Sequence, residues 1–243
     1  MKVALLSLDV SLTTKARLGQ IKELVLSASS MGASLCVLPE MSFGGYNATP
    51  KECDQGADEF FTALAKEANV AIAYGHVKKA DKKLKNSVTV VSSSGEELAH
   101  YDKMHVFTFA NEQKSFEGGD VLANFSIGDI RFGLSICYDL RFAELYSLYA
   151  KSCDAVLCIA AWPKKRISTF KLLLKARAVE NVTTLVGVNW QGGEYVKSSY
   201  VATQNGVFSK PVYAGSELDI YEISPSKKDG KSPNSVDDKR FEL

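Results

Sequence analysis

A cysteine, a glutamate and a lysine each stand at the end of a strand-like segment of this chain. Cys137 follows residues 130–136, whose β-branched and aromatic residues predict a strand, and a helical pattern comes after it. A thiol at such a strand-to-helix turn lies near backbone N–H groups, which favour the thiolate and can bind an oxyanion. Glu40 and Lys103 follow two other strand-like segments. An acid, an amine and a thiol at three strand ends predict one nucleophilic site.

Together these side chains meet the requirements of attack on an amide carbonyl, which needs a nucleophile, a base, an oxyanion donor and an acid for the leaving amine. Cys137 can supply the thiolate, and Glu40 can accept its proton and later return it to nitrogen. Lys103 can offer a fixed positive charge that favours the thiolate and stabilises the oxyanion. The Tyr138 N–H is the natural second oxyanion donor. Alone, Glu40 or Lys103 would be interpreted as part of a surface ion pair; with Cys137, we favour catalysis.

Other chemistries are less well supported by the sequence. The three histidines, His76, His100 and His105, make a cysteine–histidine protease possible in principle. However, no His–Asn or His–Asp context accompanies the Cys137 turn. The sequence has no Gly-rich phosphate loop and no carboxylate cluster with metal-ligand spacing. We therefore expect neither a metal nor a cofactor.

Size and composition bound the fold class. A chain of 243 residues is long enough for a large core, and one α/β domain is favoured over two. The net charge of +1 implies neither nucleic acid nor an anionic membrane as a partner. No apolar run approaches the roughly 20 residues that span a bilayer. Five cysteines, with no C-x-x-C pair, argue against a disulfide framework and favour a reducing cytoplasm.

Strand and helix patterns alternate from residue 1 to about residue 223, which predicts a single layered α/β domain. Several adjacent hairpin-like segments argue against an all-parallel sheet. Residues 224–243 form a polar C-terminal tail, which we expect to be flexible or ordered only against a partner subunit. The predicted helices are 14–31, 58–68, a helix after the Cys137 turn to 151, and 169–181. The predicted strands are 2–8, 35–38, 70–77, 87–92, 98–101, 130–136, 155–160, 184–189, 200–202, 207–212 and 218–223.

Three ordered stretches carry a family resemblance: Leu-Pro-Glu-Met (38–41), Tyr-Asp-Lys-Met-His-Val-Phe (101–107) and Ser-Ile-Cys-Tyr-Asp-Leu-Arg-Phe (135–142). In order and spacing they resemble the nitrilase, or carbon–nitrogen hydrolase, superfamily. The resemblance covers the chain from residue 1 to about 223. It implies a Glu–Lys–Cys triad of Glu40, Lys103 and Cys137 and a four-layer αββα sandwich. It also implies a homodimer whose subunits pair to extend the sandwich.

The same resemblance extends to a second glutamate. Residues 111–119 are similar to the family segment whose glutamate helps to hold the lysine and the substrate, which implies that role for Glu112. By residue type alone, Glu112 would be an exposed acid. The segment has Glu117 where the family usually has a proline, so its loop shape is open.

Within the superfamily, the chain looks most like the omega-amidase branch, which hydrolyses the terminal amide of 2-oxoglutaramate and 2-oxosuccinamate. The short linker between Lys103 and Glu112 and the segments 40–46, 161–166 and 172–181 are similar to that branch. Ala161 departs from its usual asparagine, so the substrate range here can differ. The resemblance implies hydrolysis of a small, linear, carboxylate-bearing amide to acid and ammonia through a cysteine thioester.

Residues near the strand ends are candidates for substrate binding. Trp162, after the strand 155–160, would place a rigid aromatic wall at the same sheet edge as Cys137. Arg166 or Lys165 could bind a substrate carboxylate, although residues 164–166 can equally be a solvated turn. Three further aromatic residues could line the pocket, although aromatic residues on a sheet are more often core: Phe43, Tyr46 and Phe107.

Two alternatives remain open. The first keeps the site but changes the substrate to an N-carbamoyl amino acid, deaminated glutathione or a nitrile. The second is a non-catalytic interaction module that kept the fold. The intact Glu–Lys–Cys set argues against the module, and ammonia release from a panel of substrates separates the hydrolases.

Overall fold

The computed structural model describes residues 1–225, so most of the predicted tail lies outside the described residues. The described part contains α-helices and β-strands that alternate through most of its length. The helices are α1 (Thr14–Ser30), α2 (Ala57–Ala68), α3 (Ala143–Ala150) and α4 (Ile167–Glu180). The strands are β1 (Lys2–Leu6), β2 (Leu35–Val37), β3 (Ala71–Lys79), β4 (Leu84–Val91), β5 (Glu97–Asp102), β6 (Asn124–Ile127), β7 (Ile130–Ile136), β8 (Ala155–Ala160), β9 (Thr184–Asn189), β10 (Tyr200–Ala202), β11 (Tyr213–Ala214) and β12 (Leu218–Glu222).

The strands form two mixed sheets. The first has seven strands in the order β11-β12-β1-β2-β3-β4-β5, and the second has five in the order β10-β9-β8-β7-β6. Strands β1, β2 and β3 are parallel, as are β7, β8 and β9, whereas the outer strands pair antiparallel. The hairpins therefore lie at the sheet edges, and the prediction that the sheet is not all parallel is confirmed.

Alternation along the strands separates three cores. In β1, Val3 and Leu5 belong to a core shared with residues of β7 and β8, whereas Ala4 and Leu6 pack with α1 and α2. In β8, Leu157 joins the shared core, and the residues on the opposite face pack with α3 and α4. Because successive side chains of a strand point to opposite faces, the two sheets stack and the helices cover their outer faces. The predicted α/β class and the four-layer αββα sandwich are confirmed.

Several elements of the structure depart from the sequence prediction. The single helix expected after Cys137 is a 3₁₀ turn (Cys137–Arg141) followed by α3, because Phe142 adopts an extended conformation between them. The strand expected at 207–212 is not formed, and Pro211 in it has no N–H for a ladder bond. Strand β6 was not predicted; it pairs with β7 as a hairpin through Gly128.

All five cysteines lie in the described part, and none is in a disulfide. Cys36, Cys153 and Cys158 are buried, as the apolar segments around them predicted. Cys53 is half-buried. Among residues 1–225, no helix is long and apolar enough to cross a bilayer.

Candidate active site

Cys137 occupies a strained turn at the end of β7. Its φ is +48°, in the left-handed region that non-glycine residues rarely adopt, and it is the first residue of a 3₁₀ turn. Such a conformation persists only where the surroundings hold it, and it is typical of functional positions. The strand-to-helix turn predicted from sequence is therefore present, with the thiol at its first residue.

Asp139 ties this turn to the loop that carries Lys103. One carboxylate oxygen of the buried Asp139 accepts the Ile136 N–H at 3.0 Å and the Tyr101 hydroxyl at 2.8 Å. The other oxygen lies 2.9 Å from the His105 backbone nitrogen and 2.8 Å from its Nδ1. Because Tyr101 and His105 flank Lys103 by two residues on either side, one carboxylate fixes the lysine relative to the thiol. Asp139 thus holds the turn in place through these hydrogen bonds.

Glu40 lies in the loop after β2, and its side chain is fully buried. Its Oε1 accepts hydrogen bonds from Asn86 Nδ2 at 2.7 Å and from Lys103 Nζ at 2.9 Å. Its Oε2 accepts the Ala161 N–H at 2.8 Å. Three donors from three different segments therefore hold this carboxylate in one orientation.

The backbone around Glu40 is also constrained. Met41 has a φ of +53°, and the Glu40 carbonyl accepts a hydrogen bond from the Trp190 indole at 2.8 Å. Gly75 of β3 lies directly against this segment. A Cβ at that position would meet the Met41 nitrogen at 2.5 Å and the Pro39 oxygen at 2.6 Å. Glycine is therefore needed at position 75 for the glutamate loop to pack on the sheet.

Lys103 is buried between two carboxylates. Its Nζ lies 2.9 Å from Glu40 Oε1 and 2.9 and 3.1 Å from the two oxygens of Glu112. Glu112 is buried as well, and its Oε2 accepts the Phe107 N–H at 2.7 Å. The structure thus brings Glu112 to the lysine and buries it, which residue type alone did not indicate. The neighbouring Glu117 donates its N–H to Leu84 of β4 at 3.0 Å, a bond that proline could not make.

The charges in this cluster determine the resting form of the thiol. Burial raises the pKa of Cys137 well above its usual value; Glu40 adds to this, while Lys103 and the Ala161 N–H oppose it. Burial alone would lower the pKa of Lys103, but Glu40 and Glu112 raise it well above its usual value. Burial also raises the pKa of Glu112, against the effect of Lys103. The lysine is thus an ammonium and Cys137 rests as a thiol. Lys103 favours the thiolate, as its charge predicted, but burial and Glu40 outweigh it in the unliganded site.

This charge balance has a testable consequence for pH dependence. Because the pKa of Cys137 is raised, its thiolate forms only above the ordinary thiol value of about 8.5. We expect no thiolate absorbance from Cys137 between about pH 6 and about pH 8.5 in the unliganded protein. The measurement is an ultraviolet titration of the wild type minus the Cys137→Ala variant. A titration midpoint in the neutral range would contradict the charge balance described above.

A cavity of about 380 Å³ opens onto the thiol. Lys103, Glu112 and Cys137 line part of it. Its walls are mostly aromatic: Tyr46, Phe107, Phe109, Tyr138, Trp162 and Tyr195. Three further cationic side chains also line it: Arg141, Lys165 and Arg166. Such a site can bind a ligand whose reacting group is uncharged and which carries an anionic group elsewhere. Among the described residues, no group of His, Cys, Asp and Glu could hold a metal ion.

Four of the five residues predicted to bind substrate line this cavity: Tyr46, Phe107, Trp162 and Arg166. Phe43 does not line it. Its ring instead packs edge-to-face against Phe60 and Phe61, with centroids 6.1 and 6.2 Å apart, in the layer between the first sheet and α2. We therefore no longer assign a substrate contact to Phe43. The Phe43 ring is part of the core between the first sheet and α2, and a core position was the alternative interpretation from sequence. The Tyr138 side chain also lines the cavity, and the oxyanion role of its N–H stays a prediction.

The sequence did not reveal several residues of the site. Arg141 ends the turn after Cys137 and also lines the cavity, where its guanidinium lies 5.9 Å from the Tyr138 ring and 5.4 Å from the Trp162 ring. Tyr195 comes from an irregular loop after β9 and packs against Tyr46. No periodicity marks such a loop, so no sequence signal could have placed Tyr195 in the site.

Comparisons with known proteins agree with this geometry. The family model described as carbon–nitrogen hydrolase matches residues 2–227. A protein described as "Hydrolase in agr operon" from Staphylococcus aureus is 33% identical over 185 residues, covering 70% of this chain and 70% of its own. An omega-amidase from Mus musculus is 31% identical over 224 residues, covering 83% of this chain and 78% of its own.

Solved structures show the same fold. An amidase from Nesterenkonia sp. superposes with a TM-score of 0.81 at 24% identity, over 93% of this chain and 90% of its own. The sequence resemblance, the stacked sheets and the family match all agree. This chain therefore belongs to the carbon–nitrogen hydrolase family.

Proposed function

We propose that this carbon–nitrogen hydrolase cleaves a small, linear, carboxylate-bearing amide, such as 2-oxoglutaramate, to acid and ammonia through a thioester on Cys137. The observation that carries the proposal is the buried contact between Glu40 and Lys103 beside the Cys137 thiol, at a cavity with cationic side chains. Similarity to an omega-amidase supports the choice of substrate. The chemistry requires no cofactor.

The first step is proton transfer coupled to attack. Because Cys137 rests as a thiol, its proton must leave as the sulfur attacks the amide carbonyl carbon. Glu40 Oε1 already accepts two hydrogen bonds and Oε2 only one. A carboxylate oxygen has two lone pairs, so Oε2 keeps one for the thiol proton. Glu40 is thus the base of this step.

The tetrahedral oxyanion then needs compensating charge. An ammonium has three N–H donors. One N–H of Lys103 can be shared between the two oxygens of Glu112, and a second can bond Glu40. The third donor of Lys103, with the Tyr138 N–H, stabilises the oxyanion. When the intermediate collapses, the C–N bond breaks, and Glu40 returns its proton to nitrogen, so ammonia leaves.

Hydrolysis of the thioester then repeats the same proton transfers, with water as the nucleophile. Glu40, ionised again, takes a proton from water as the oxygen adds to the thioester carbon. The C–S bond breaks, the proton passes to sulfur, and the carboxylic acid leaves. One carboxylate therefore acts twice as a base and twice as an acid, which its three fixed hydrogen bonds allow without rearrangement.

Ammonia release from a substrate panel tests the proposal. The panel contains 2-oxoglutaramate, 2-oxosuccinamate, an N-carbamoyl amino acid, deaminated glutathione, a nitrile and a neutral amide. We expect the first two to give the highest kcat/KM, and intact-mass spectrometry to show the matching acyl adduct on Cys137. A higher kcat/KM for the carbamoyl compound, deaminated glutathione or the nitrile would reject the proposed substrate class. No ammonia and no adduct with any of them would support the non-catalytic module instead.

Arg166 is proposed to bind the substrate carboxylate, since a guanidinium can hold a carboxylate through two hydrogen bonds. Arg166→Gln should raise KM for the carboxylate-bearing amide about tenfold or more, with little change in kcat, because it removes a charged hydrogen bond far from the reacting carbon. A neutral amide of the same length should be unaffected. Lys164→Gln, on the same turn but not lining the cavity, is the matched control. Equal effects on both amides would contradict a carboxylate contact with Arg166.

A homodimer is proposed from the outer face of the second helical layer. Leu148 on α3 and Leu172 and Val179 on α4 are large apolar side chains exposed on helices that cover the same sheet. We expect light scattering to give twice the 26.5 kDa chain mass, and Leu172→Glu to shift the protein towards the monomer. Val121→Glu, at an exposed valine outside these helices, should leave the mass unchanged. A wild-type monomer at high concentration would reject the dimer.

A further inference from the structure

Asn86 lies on β4 and contacts both charged residues of the site. Its backbone carbonyl accepts the Lys103 N–H at 2.8 Å, and its side-chain Nδ2 donates to Glu40 Oε1 at 2.7 Å. The side chain is 1% exposed. Asn86 is thus the common support of the lysine backbone and the glutamate carboxylate, although it does not line the cavity.

The stability of the fold alone does not explain why position 86 carries an asparagine. Its Oδ1 is buried and has no hydrogen-bond partner among the described residues. An unsatisfied buried acceptor is destabilising, and asparagine is depleted in strands. Other interior positions of the same strand carry valine, as at Val88 and Val90. A purely structural requirement would therefore favour an apolar residue at position 86.

We propose that Asn86 is a positioning residue for catalysis, which holds Oε1 of Glu40 so that Oε2 faces the Cys137 thiol. The proposal rests on the proposed function of Glu40 as the base. With Oε1 occupied by Asn86 and Lys103, the carboxylate cannot rotate without losing two donors. The other titratable groups around Glu40 are Lys103, Glu112, Cys137, Tyr46 and Tyr195.

Two substitutions and a matched control test this role. Asn86→Leu removes the donor and the unpaired oxygen, and Asn86→Asp keeps the size but offers an acceptor in place of the donor. Thr89→Val is the control, because Thr89 is equally buried on the same strand and its hydroxyl bonds His76 and His100 rather than Glu40 or Lys103. We expect both Asn86 variants to lose about 10- to 100-fold in kcat with KM within about twofold. Thr89→Val should match the wild type in both kcat and KM.

A second readout does not depend on the natural substrate. Alkylation of Cys137 by iodoacetate forms a C–S bond as iodide leaves and the thiol proton passes to the base, so its rate reports the Glu40 base, and iodoacetate has no amide to hydrolyse. We expect the Asn86 variants to be alkylated more slowly than the wild type at the same pH. If the wild type releases no ammonia from any amide, the proposed function is wrong. The alkylation rates of the wild type and the Asn86 variants still test the positioning role of Asn86 in that case. A folded Asn86 variant with the wild-type alkylation rate, or an equal loss in Thr89→Val, would overturn the role.

Discussion

Cys137→Ala is expected to reduce ammonia release to the background rate while leaving the protein folded. The sulfur is the only atom lost, and alanine carries the same positive-φ cost that cysteine already bears at this turn. Without the nucleophile no thioester forms, and water has no activated carbonyl to attack. The measurements are steady-state ammonia release, intact mass after incubation with amide, and the thermal unfolding midpoint.

Cys153→Ala is the matched control for this variant. Cys153 is also fully buried, but it lies before β8 on the side of the second sheet that faces α3 and α4. We expect it to lose a little stability through the small cavity and to keep wild-type turnover. Retained turnover in Cys137→Ala would mean that Glu40 activates water directly, and the covalent mechanism would then be wrong.

Lys103→Met is expected to lose both turnover and stability. It leaves Glu40 and Glu112 buried without their shared counter-charge, and removing one partner of a buried ion pair costs about 3–5 kcal/mol in the free energy of unfolding. Turnover should fall to background because the oxyanion loses its ammonium donor. Chemical denaturation and ammonia release measure the two effects.

A double variant separates these two effects. In Lys103→Met/Glu112→Gln, one of the two unpaired carboxylates becomes neutral, so more than about half of the lost stability should return while turnover stays at background. The control is Lys22→Met, which breaks an exposed pair with Glu67 and should cost about 1 kcal/mol or less. If the double variant regained turnover together with stability, the lysine would be structural rather than catalytic.

The strand ends were predictable because strand patterns are local. Residues 130–136 and 155–160 form strands with the bounds that the sequence predicted, and each ends beside the cavity. Glu40 and Lys103 follow β2 and β5 of the first sheet, and Cys137 follows β7 of the second. Their grouping was therefore predictable from the order and spacing of the motifs, not from one sheet edge. Burial raises the pKa of the Cys137 thiol, and the sequence does not show how deeply a group is enclosed.

The walls of the cavity were less predictable, because they come from loops and from tertiary contacts. Phe43 and Tyr46 are three residues apart in one loop, yet only Tyr46 lines the cavity. Their residue types are nearly the same, and α2 decides between them by offering Phe60 and Phe61 as partners for Phe43. Likewise, α3 begins only after Phe142, whose ring stacks on His105 at 3.6 Å, a contact between segments far apart in the chain.

The hydrogen bond from the Ala161 N–H to Glu40 affects how the substrate preference of such an enzyme can change in evolution. Every amino acid except proline carries that N–H, so Glu40 keeps this hydrogen bond whatever side chain stands at position 161. Ala161 also lines the cavity. We therefore expect mutation at this position to change substrate preference while Glu40 keeps its hydrogen bond, and alanine in place of the usual asparagine is one such exchange.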